Sequence, residues 1–248
     1  MLKITPTSLN ELYIDWNGLE GEHFKVFRST SPESDFEIIM ENTTLPFCVD
    51  SEVNLHENGL RYYYKVKGYQ GTKLVSESKI ETTQYSQPDY VANKVIYESN
   101  IVLNVMKNPP VFILIKKRAG TRCPNCWNPI TKKTRFANCE VCKGTGIISG
   151  YHQPIKTKIS RDISRLVDNP NMLDGENIAL TPVNAWIGNT PLVSPGDIIV
   201  DVMNQRFLIE QVVPRTKSQY VIRQILNLVP LEKGHPAFNV EVERGELV

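Results

Sequence analysis

The first 85 residues alternate apolar and polar positions in short runs that are separated by turn-forming residues. In the segment 12–16, Leu12, Ile14 and Trp16 share one face, while Tyr13 and Asp15 occupy the other. This period of two is typical of a strand with one buried face. Because such runs recur with turn signals about every 8–12 residues, the pattern predicts a β-sandwich over residues 1–86.

The pattern changes to helical spacing in the next segment. Apolar residues recur every three or four positions over 87–107, and Pro88 and Asp89 occupy the starting turn. The sequence predicts a linker helix within 87–108, ended by Asn108 and the two prolines that follow. A buried strand over 111–115 is predicted after these prolines.

The last third of the chain returns to strands. The four predicted strands cover residues 178–187, 198–201, 206–213 and 220–228. Tight turns between them predict a meander that curls into a small β-barrel over 156–236. Residues 237–248 have little apolar material and are predicted to form a C-terminal arm. The predicted fold class is therefore mainly β.

The N-terminal strands resemble a known family. Trp16 on an early strand, the strand 24–29 and the late strand 62–66 (YYYKV) resemble a fibronectin type III domain. The resemblance implies a sandwich in which Trp16 packs beneath a tyrosine of the late strand. It carries little information on function, because such sandwiches host many roles.

Composition indicates an ordinary globular protein with an uneven distribution of charge. The net charge is +1, yet residues 107–165 contain 13 basic and 2 acidic residues, a net of +11. Both flanks are acidic, so only the middle is expected to attract polyanions or acidic surfaces. No apolar run approaches the roughly 18 residues of a membrane span. The first residues lack the pattern of a secretion signal, so we expect synthesis and folding in a cytoplasm.

Four of the five cysteines form two C-x2-C pairs, Cys123 with Cys126 and Cys139 with Cys142, separated by twelve residues. This spacing is typical of a structural zinc site with four thiolate ligands. One Zn²⁺ is therefore the predicted cofactor, and it would fold a module over 109–155 that is too small to bury a core of its own. An iron ion in the same cage, or metal-free thiols, are the alternatives.

We find no catalytic constellation in the sequence. The histidines are scattered, and no phosphate-binding loop is present. His152, just after the cysteine module, is expected to be a neighbour of the site and not a ligand. Asp197 and Asp201 are expected to cap turns, and Cys48 to be a small core residue. The sequence thus indicates a protein that is not an enzyme.

Basic residues surround the cysteine pairs and are candidates for contact with nucleic acid or with an acidic partner. These residues are Lys116, Lys117, Arg118, Arg122, Lys132, Lys133 and Arg135.

The cysteine module and the C-terminal strands carry a second resemblance. The phrase RCPNCWNPITKKTRFANCEVCKGTGIISGY over 122–151 resembles a zinc-ribbon segment of virion proteins from tailed bacteriophages. The motif GDII at 196–199 and the strands after it resemble the small barrel of phage head-to-tail joining proteins.

The resemblance implies a neck subunit, placed between portal and tail, that assembles as a symmetric ring in the virion. Its implied partners are other copies of itself, portal, neck or tail proteins, and packaged DNA, with no membrane involved. A zinc-ribbon regulator that binds nucleic acid is the main alternative. A tail, baseplate or adhesion protein is a further alternative.

Overall fold

A computed structural model of the chain describes residues 2–33, 35–55, 61–83, 89–105, 108–136, 138–161 and 183–242. Within these ranges the protein is mainly β, with several sheets and one α-helix. The mainly β class predicted from the sequence is confirmed.

The N-terminal region forms two sheets. Its strands are Lys3–Ser8 (β1), Glu11–Asp15 (β2), His23–Ser29 (β3), Glu37–Thr43 (β4), Phe47–Asp50 (β5), Tyr63–Gln70 (β6), Lys73–Glu77 (β7) and Glu81–Thr82 (β8). One sheet has the order β1-β2-β5, and the other has the order β4-β3-β6-β7 with β8 also pairing with β6. Inward residues of both sheets, among them Trp16, Phe24 and Tyr64, form one buried core.

The central strand of the first sheet, β2, is buried on both faces. Tyr13 was expected on an outer face, yet it is as buried as Leu12 and Ile14. Its ring stacks on Phe47 with 4.8 Å between ring centroids, and Phe47 packs against the core of the C-terminal sheet. The alternation therefore identified the strand but not the second layer that covers it.

A seven-stranded antiparallel sheet forms the C-terminal region. Its strands are Pro110–Leu114 (β9), Ile155–Lys158 (β12), Ser160–Arg161 (β13), Val183–Ile187 (β14), Ile198–Val200 (β15), Arg206–Lys217 (β16) and Tyr220–Pro230 (β17). The order is β12-β9-β15-β16-β17-β14-β13. The predicted strand at 178–187 is described only from residue 183 onward.

This sheet is not a closed barrel, because its edge strands β12 and β13 do not pair with each other in the described parts of the chain. They nevertheless follow one another with only Ile159 between them, and Ile159 is fully buried in the sheet's core. The sheet thus curls until both edges meet one stretch of chain. The sequence also assigned 109–115 to the cysteine module, whereas β9 lies inside this sheet, paired with β12 and β15.

The helix Tyr90–Val105 (α1) lies within the predicted segment 87–108. The Asp89 carboxylate accepts a hydrogen bond of 2.8 Å from the backbone N–H of Ala92, which caps the first turn. Pro88 lies outside the described residues. Ala92 and Ile96 pack against Leu9 and Tyr220, so the helix bridges the N-terminal region and β17.

The C-terminal segment packs onto the sheet as far as it is described. A short 3-10 helix spans Pro236–Asn239, and Ala237 is fully buried. The Arg206 guanidinium donates hydrogen bonds to the carbonyl oxygens of Ala237 and Val240. Residues 237–242 therefore do not form the free arm that the sequence predicted, and 243–248 lie outside the described residues.

Candidate metal centre

The cysteine module lies between β9 and β12. Its first pair, Cys123 and Cys126, is followed by a small hairpin of Trp127–Asn128 (β10) and Lys133–Thr134 (β11), in which Trp127 pairs with Thr134. The hairpin reverses the chain and returns it toward the second pair. This reversal lets two distant C-x2-C turns face one another.

The structure brings the four predicted ligands together. All four Sγ atoms lie within 4.8 Å of one another. The Sγ atoms of Cys123 and Cys139 are 3.6 Å apart, and those of Cys126 and Cys142 are 3.2 Å apart. A disulfide requires about 2.05 Å, so these thiols are not bonded to each other. Four sulfurs about 2.3 Å from a central Zn²⁺ lie roughly 3.8 Å apart, so these two pairs are slightly closer than a bound ion would set them. The four cysteines can bind one metal ion.

The same thiols are the interior of the module. None of the four is more than 3% exposed. They form a buried cluster that contains no other residue among those the structure describes. A metal held there would therefore replace the apolar core that this segment lacks.

Backbone hydrogen bonds close the module around the thiols. The N–H of Cys123 donates to the carbonyl of Gly146 over 3.0 Å, and the N–H of Arg135 donates to the carbonyl of Cys126 over 2.7 Å. The hydroxyl of Thr145 donates to the carbonyl of Cys142 over 2.7 Å. Each C-x2-C turn is thus fixed by a contact with another part of the module.

Two glycines permit this close approach. Gly146 has φ +83°, and a Cβ there would lie 2.9 Å from a methyl carbon of Thr134. Gly150 has φ +66°, and a Cβ there would lie 2.5 Å from the carbonyl oxygen of Cys142. Both positions combine a left-handed backbone with no space for a side chain.

The local environment shifts the pKa values of Cys126 and Cys139 in different directions. A hydrogen bond from the backbone N–H of Cys142 is the main cause that lowers the pKa of Cys139 to about 7. Burial raises the pKa of Cys126 well above its usual range. Metal binding must deprotonate all four thiols, so metal affinity is expected to rise with pH. Four thiolates complete a tetrahedral shell and leave no position for a reacting water.

His152 lies beside the module and outside the group of residues placed to hold the ion, as expected. Its ring nitrogens lie 3.4 Å from the carbonyl oxygen of Thr44 and 3.4 Å from Oδ1 of Asn17. Burial, together with the nearby Lys117 charge, lowers its pKa to about 4. His152 therefore connects the module to the N-terminal region as a neutral side chain.

The two aspartates have the capping roles predicted from the sequence. Asp197 accepts hydrogen bonds from the N–H groups of Lys116 and Ser194, at 2.9 Å and 2.8 Å. Asp201 accepts from the N–H groups of Met203 and Gln205. Cys48 is buried in the N-terminal core, also as predicted.

The basic residues divide into two groups. Lys116, Lys117 and Arg118 follow β9, and burial lowers the pKa of Lys117. The other four, Arg122, Lys132, Lys133 and Arg135, belong to the module and are exposed. The Arg122 guanidinium carbon lies 4.2 Å from the centre of the Trp127 ring. No ion pair is found for these four within the described parts of the chain.

A cavity of about 530 Å³ between the N-terminal region and the module was not predicted. Its lining includes Trp16, Asn17, Lys117, Tyr151 and His152. The buried indole Nε1 of Trp16 has no hydrogen-bond partner among the described residues. These residues are distant in sequence, and no local pattern indicates that they meet.

Neither a scan against protein-family models nor a search of curated proteins finds a match to this chain.

Where the structure describes the chain, no helix combines the length and the apolar character that crossing a lipid bilayer demands.

Proposed function

We propose that the chain is a structural virion subunit of a tailed bacteriophage, located in the neck, in which one Zn²⁺ stabilises a module between two β regions. The observation that carries the proposal is the closed, buried cage of four thiols. Such a cage holds a chain in place and offers no site for turnover. Its role is to give a coreless segment a fixed shape.

Three features support the assignment to a virion. The module has the CPNC, NCEVC, GTG and GY elements of the phage zinc-ribbon segment that it resembles. The strands after GDII belong to a curled sheet whose two edges meet at Ile159. The strand order β1-β2-β5 facing β4-β3-β6-β7 is compatible with a fibronectin type III sandwich.

The proposed mechanism is assembly by subunit packing. Identical subunits would form a ring through a repeated head-to-tail contact. A module whose conformation is fixed by a bound metal ion loses less conformational entropy on assembly than a flexible loop does. The ring, its portal or tail neighbours and its location in the virion are all part of the proposal.

Two measurements on the purified chain test the proposal. Elemental analysis should give one zinc per chain, and the protein should be colourless, because an iron ion held by four thiolates absorbs visible light. Electron micrographs or mass photometry should show closed rings. If the chain binds one zinc but stays monomeric at all concentrations, the metal site is retained and the proposed ring is excluded.

A second candidate function has its own observation. The hairpin of the module presents Lys132, Lys133 and Arg135 to solvent, and Ile130 at its tip is 89% exposed. Basic side chains without described ion pairs suit contact with phosphates. A zinc-ribbon protein that binds nucleic acid would use this hairpin.

Salt dependence tests this second function. If both lysines contact phosphates, the double variant Lys132→Ala/Lys133→Ala should lower the slope of log affinity against log salt by about 2 for duplex DNA. The matched control is Lys73→Ala/Lys79→Ala, which removes two exposed lysines of the N-terminal region. An equal loss in both proteins would exclude the hairpin as the contact.

A further inference from the structure

The solvent face of α1 is unusually apolar. Six apolar residues of this helix are at least 40% exposed: Tyr90, Val91, Tyr97, Ile101, Val102 and Val105. Exposed helix faces normally carry polar residues, and contiguous apolar patches mark interaction sites. We call these six residues the outer stripe.

The outer stripe is separate from the face that packs on the protein. With about 100° of rotation per residue, the buried residues Ala92, Ile96 and Leu103 fall within roughly 40° of one another. The six exposed residues span roughly 140° on the opposite side. The helix therefore has two apolar faces, and within the described ranges of the chain only one of them is covered.

Two charges lie inside the outer stripe and indicate what covers it. Lys94 and Glu98 are 76% and 59% exposed in their side chains, with 3.9 Å between Nζ and Oε1. When a second α1 runs antiparallel, with a two-fold axis at the level of residue 96, Lys94 of each copy faces Glu98 of the other. Apolar residues then meet on both sides of the axis. The stripe is thus complementary in charge to itself, as an isologous contact requires.

We propose that α1 pairs with α1 of a second copy of this chain, antiparallel, through the outer stripe. A 16-residue helix is about 24 Å long, so the contact is of the smaller, reversible kind. A two-fold contact closes on itself and cannot repeat around a ring. It is therefore distinct from the ring contact proposed above, and either can fail without the other.

The experiment is sedimentation of the full chain, saturated with zinc, from about 1 to 100 μM, a range that brackets a micromolar dissociation constant. The wild-type chain should show a reversible doubling of mass with concentration, from monomer to dimer or, where rings form, from one ring to a pair of rings. The variant Tyr97→Glu should weaken dimerisation at least about tenfold, because it places a charge in the apolar contact. A wild-type chain without two-fold association over this range overturns the proposal.

A charge exchange identifies the partner as a second copy. The variants Lys94→Glu and Glu98→Lys should each weaken self-association, because like charges then face each other twice. An equimolar mixture of the two variants should dimerise more tightly than either alone, because every facing pair is again opposite in sign. The matched control is Lys73→Glu, an exposed charge reversal away from α1, which should have no effect. A mixture no tighter than its components overturns the antiparallel pairing.

Discussion

The seven-stranded sheet and the cysteine module are adjacent in the chain, but each is stabilised by a different kind of interaction. The sheet buries a continuous apolar core that includes residues of five strands and Ile159. The module buries four thiols in a cluster of their own. The first region depends on apolar area removed from water, and the second, under the proposed function, depends on metal–sulfur bonds. The two regions should therefore fail under different perturbations.

Removing one ligand of the module is the largest expected effect. Cys126→Ser leaves three thiols for the ion, and structural zinc sites contribute about 10 kcal/mol or more to folding. Hydrogen–deuterium exchange should show lost protection at the N–H of Cys123 and Arg135, which are hydrogen-bonded within the module. Amides of β16 and β17 should remain protected.

The control for that variant is Cys48→Ala. It also removes a buried thiol, but from the N-terminal core, so it should keep one zinc per chain and a protected module. If Cys126→Ser lost protection equally in both regions, the module and the sheet would be one cooperative unit. If protection persisted in both regions, the module would not depend on metal.

The reciprocal perturbation is a cavity in the sheet. Leu228 is fully buried in the sheet's core, and Leu228→Ala should lower the free energy of unfolding by about 2–5 kcal/mol. Zinc content should remain one per chain. Denaturant unfolding measures the loss. Val213→Ala, an exposed change in the same sheet, should cost less than about 0.5 kcal/mol. If Val213→Ala lowered the free energy of unfolding as much as Leu228→Ala, the stability of the sheet would not depend on its buried core.

The same contrast explains what the sequence could predict. The metal ligands follow from two short motifs, because the geometry of a C-x2-C turn is local and two such turns suffice for four ligands. Turn-capping by Asp197 and Asp201 was also predicted from local sequence. Five of the seven strands of the C-terminal sheet were predicted, although β16 extends further, to Lys217, and β12 and β13 were not predicted.

The rest depends on pairing between distant segments. Nothing in residues 109–115 indicates that Ile113 will pair with Ile199 in β15, and so β9 was assigned to the wrong region. The burial of Tyr13 depends on Phe47 and on a sheet formed more than a hundred residues later. A sequence pattern shows which face of a strand is apolar, and it does not show which surface will cover it.

A smaller perturbation tests how tightly the module closes. Gly146→Ala places a methyl group 2.9 Å from a side-chain carbon of Thr134, at a φ of +83°. We expect a loss of about 2 kcal/mol in the stability of the module, seen as weaker zinc affinity in a competition with a chelator. Gly234→Ala is the control, because nothing lies within 4 Å of its added Cβ. Equal zinc affinity in the two variants would show that the approach of Gly146 to the hairpin is not needed.

The smallest expected effect concerns the joint between the two regions. Asp197 accepts the N–H of Lys116, where β9 leads into the module, and burial raises the pKa of Asp197 from 3.8 to about 6. The folded state therefore binds a proton more tightly than the unfolded state. Stability from this group is present below about pH 4 and is lost as pH rises through about 6. We expect the loss between pH 4 and pH 7 to be up to about 2 kcal/mol.

Asp197→Asn isolates this contribution. The amide does not titrate, so the free energy of unfolding of the wild type should fall relative to that of the variant between pH 4 and pH 7. Zinc must be saturating at each pH, so that deprotonation of the thiols affects both proteins equally. Asn has one acceptor oxygen for the two N–H donors, which lowers the stability of the variant by a constant amount without changing the slope. If the free energies of unfolding of the two proteins changed in parallel with pH, the Asp197 carboxyl would have the same pKa in the folded protein as in the unfolded chain. Burial at this position would then not disfavour the charged carboxylate.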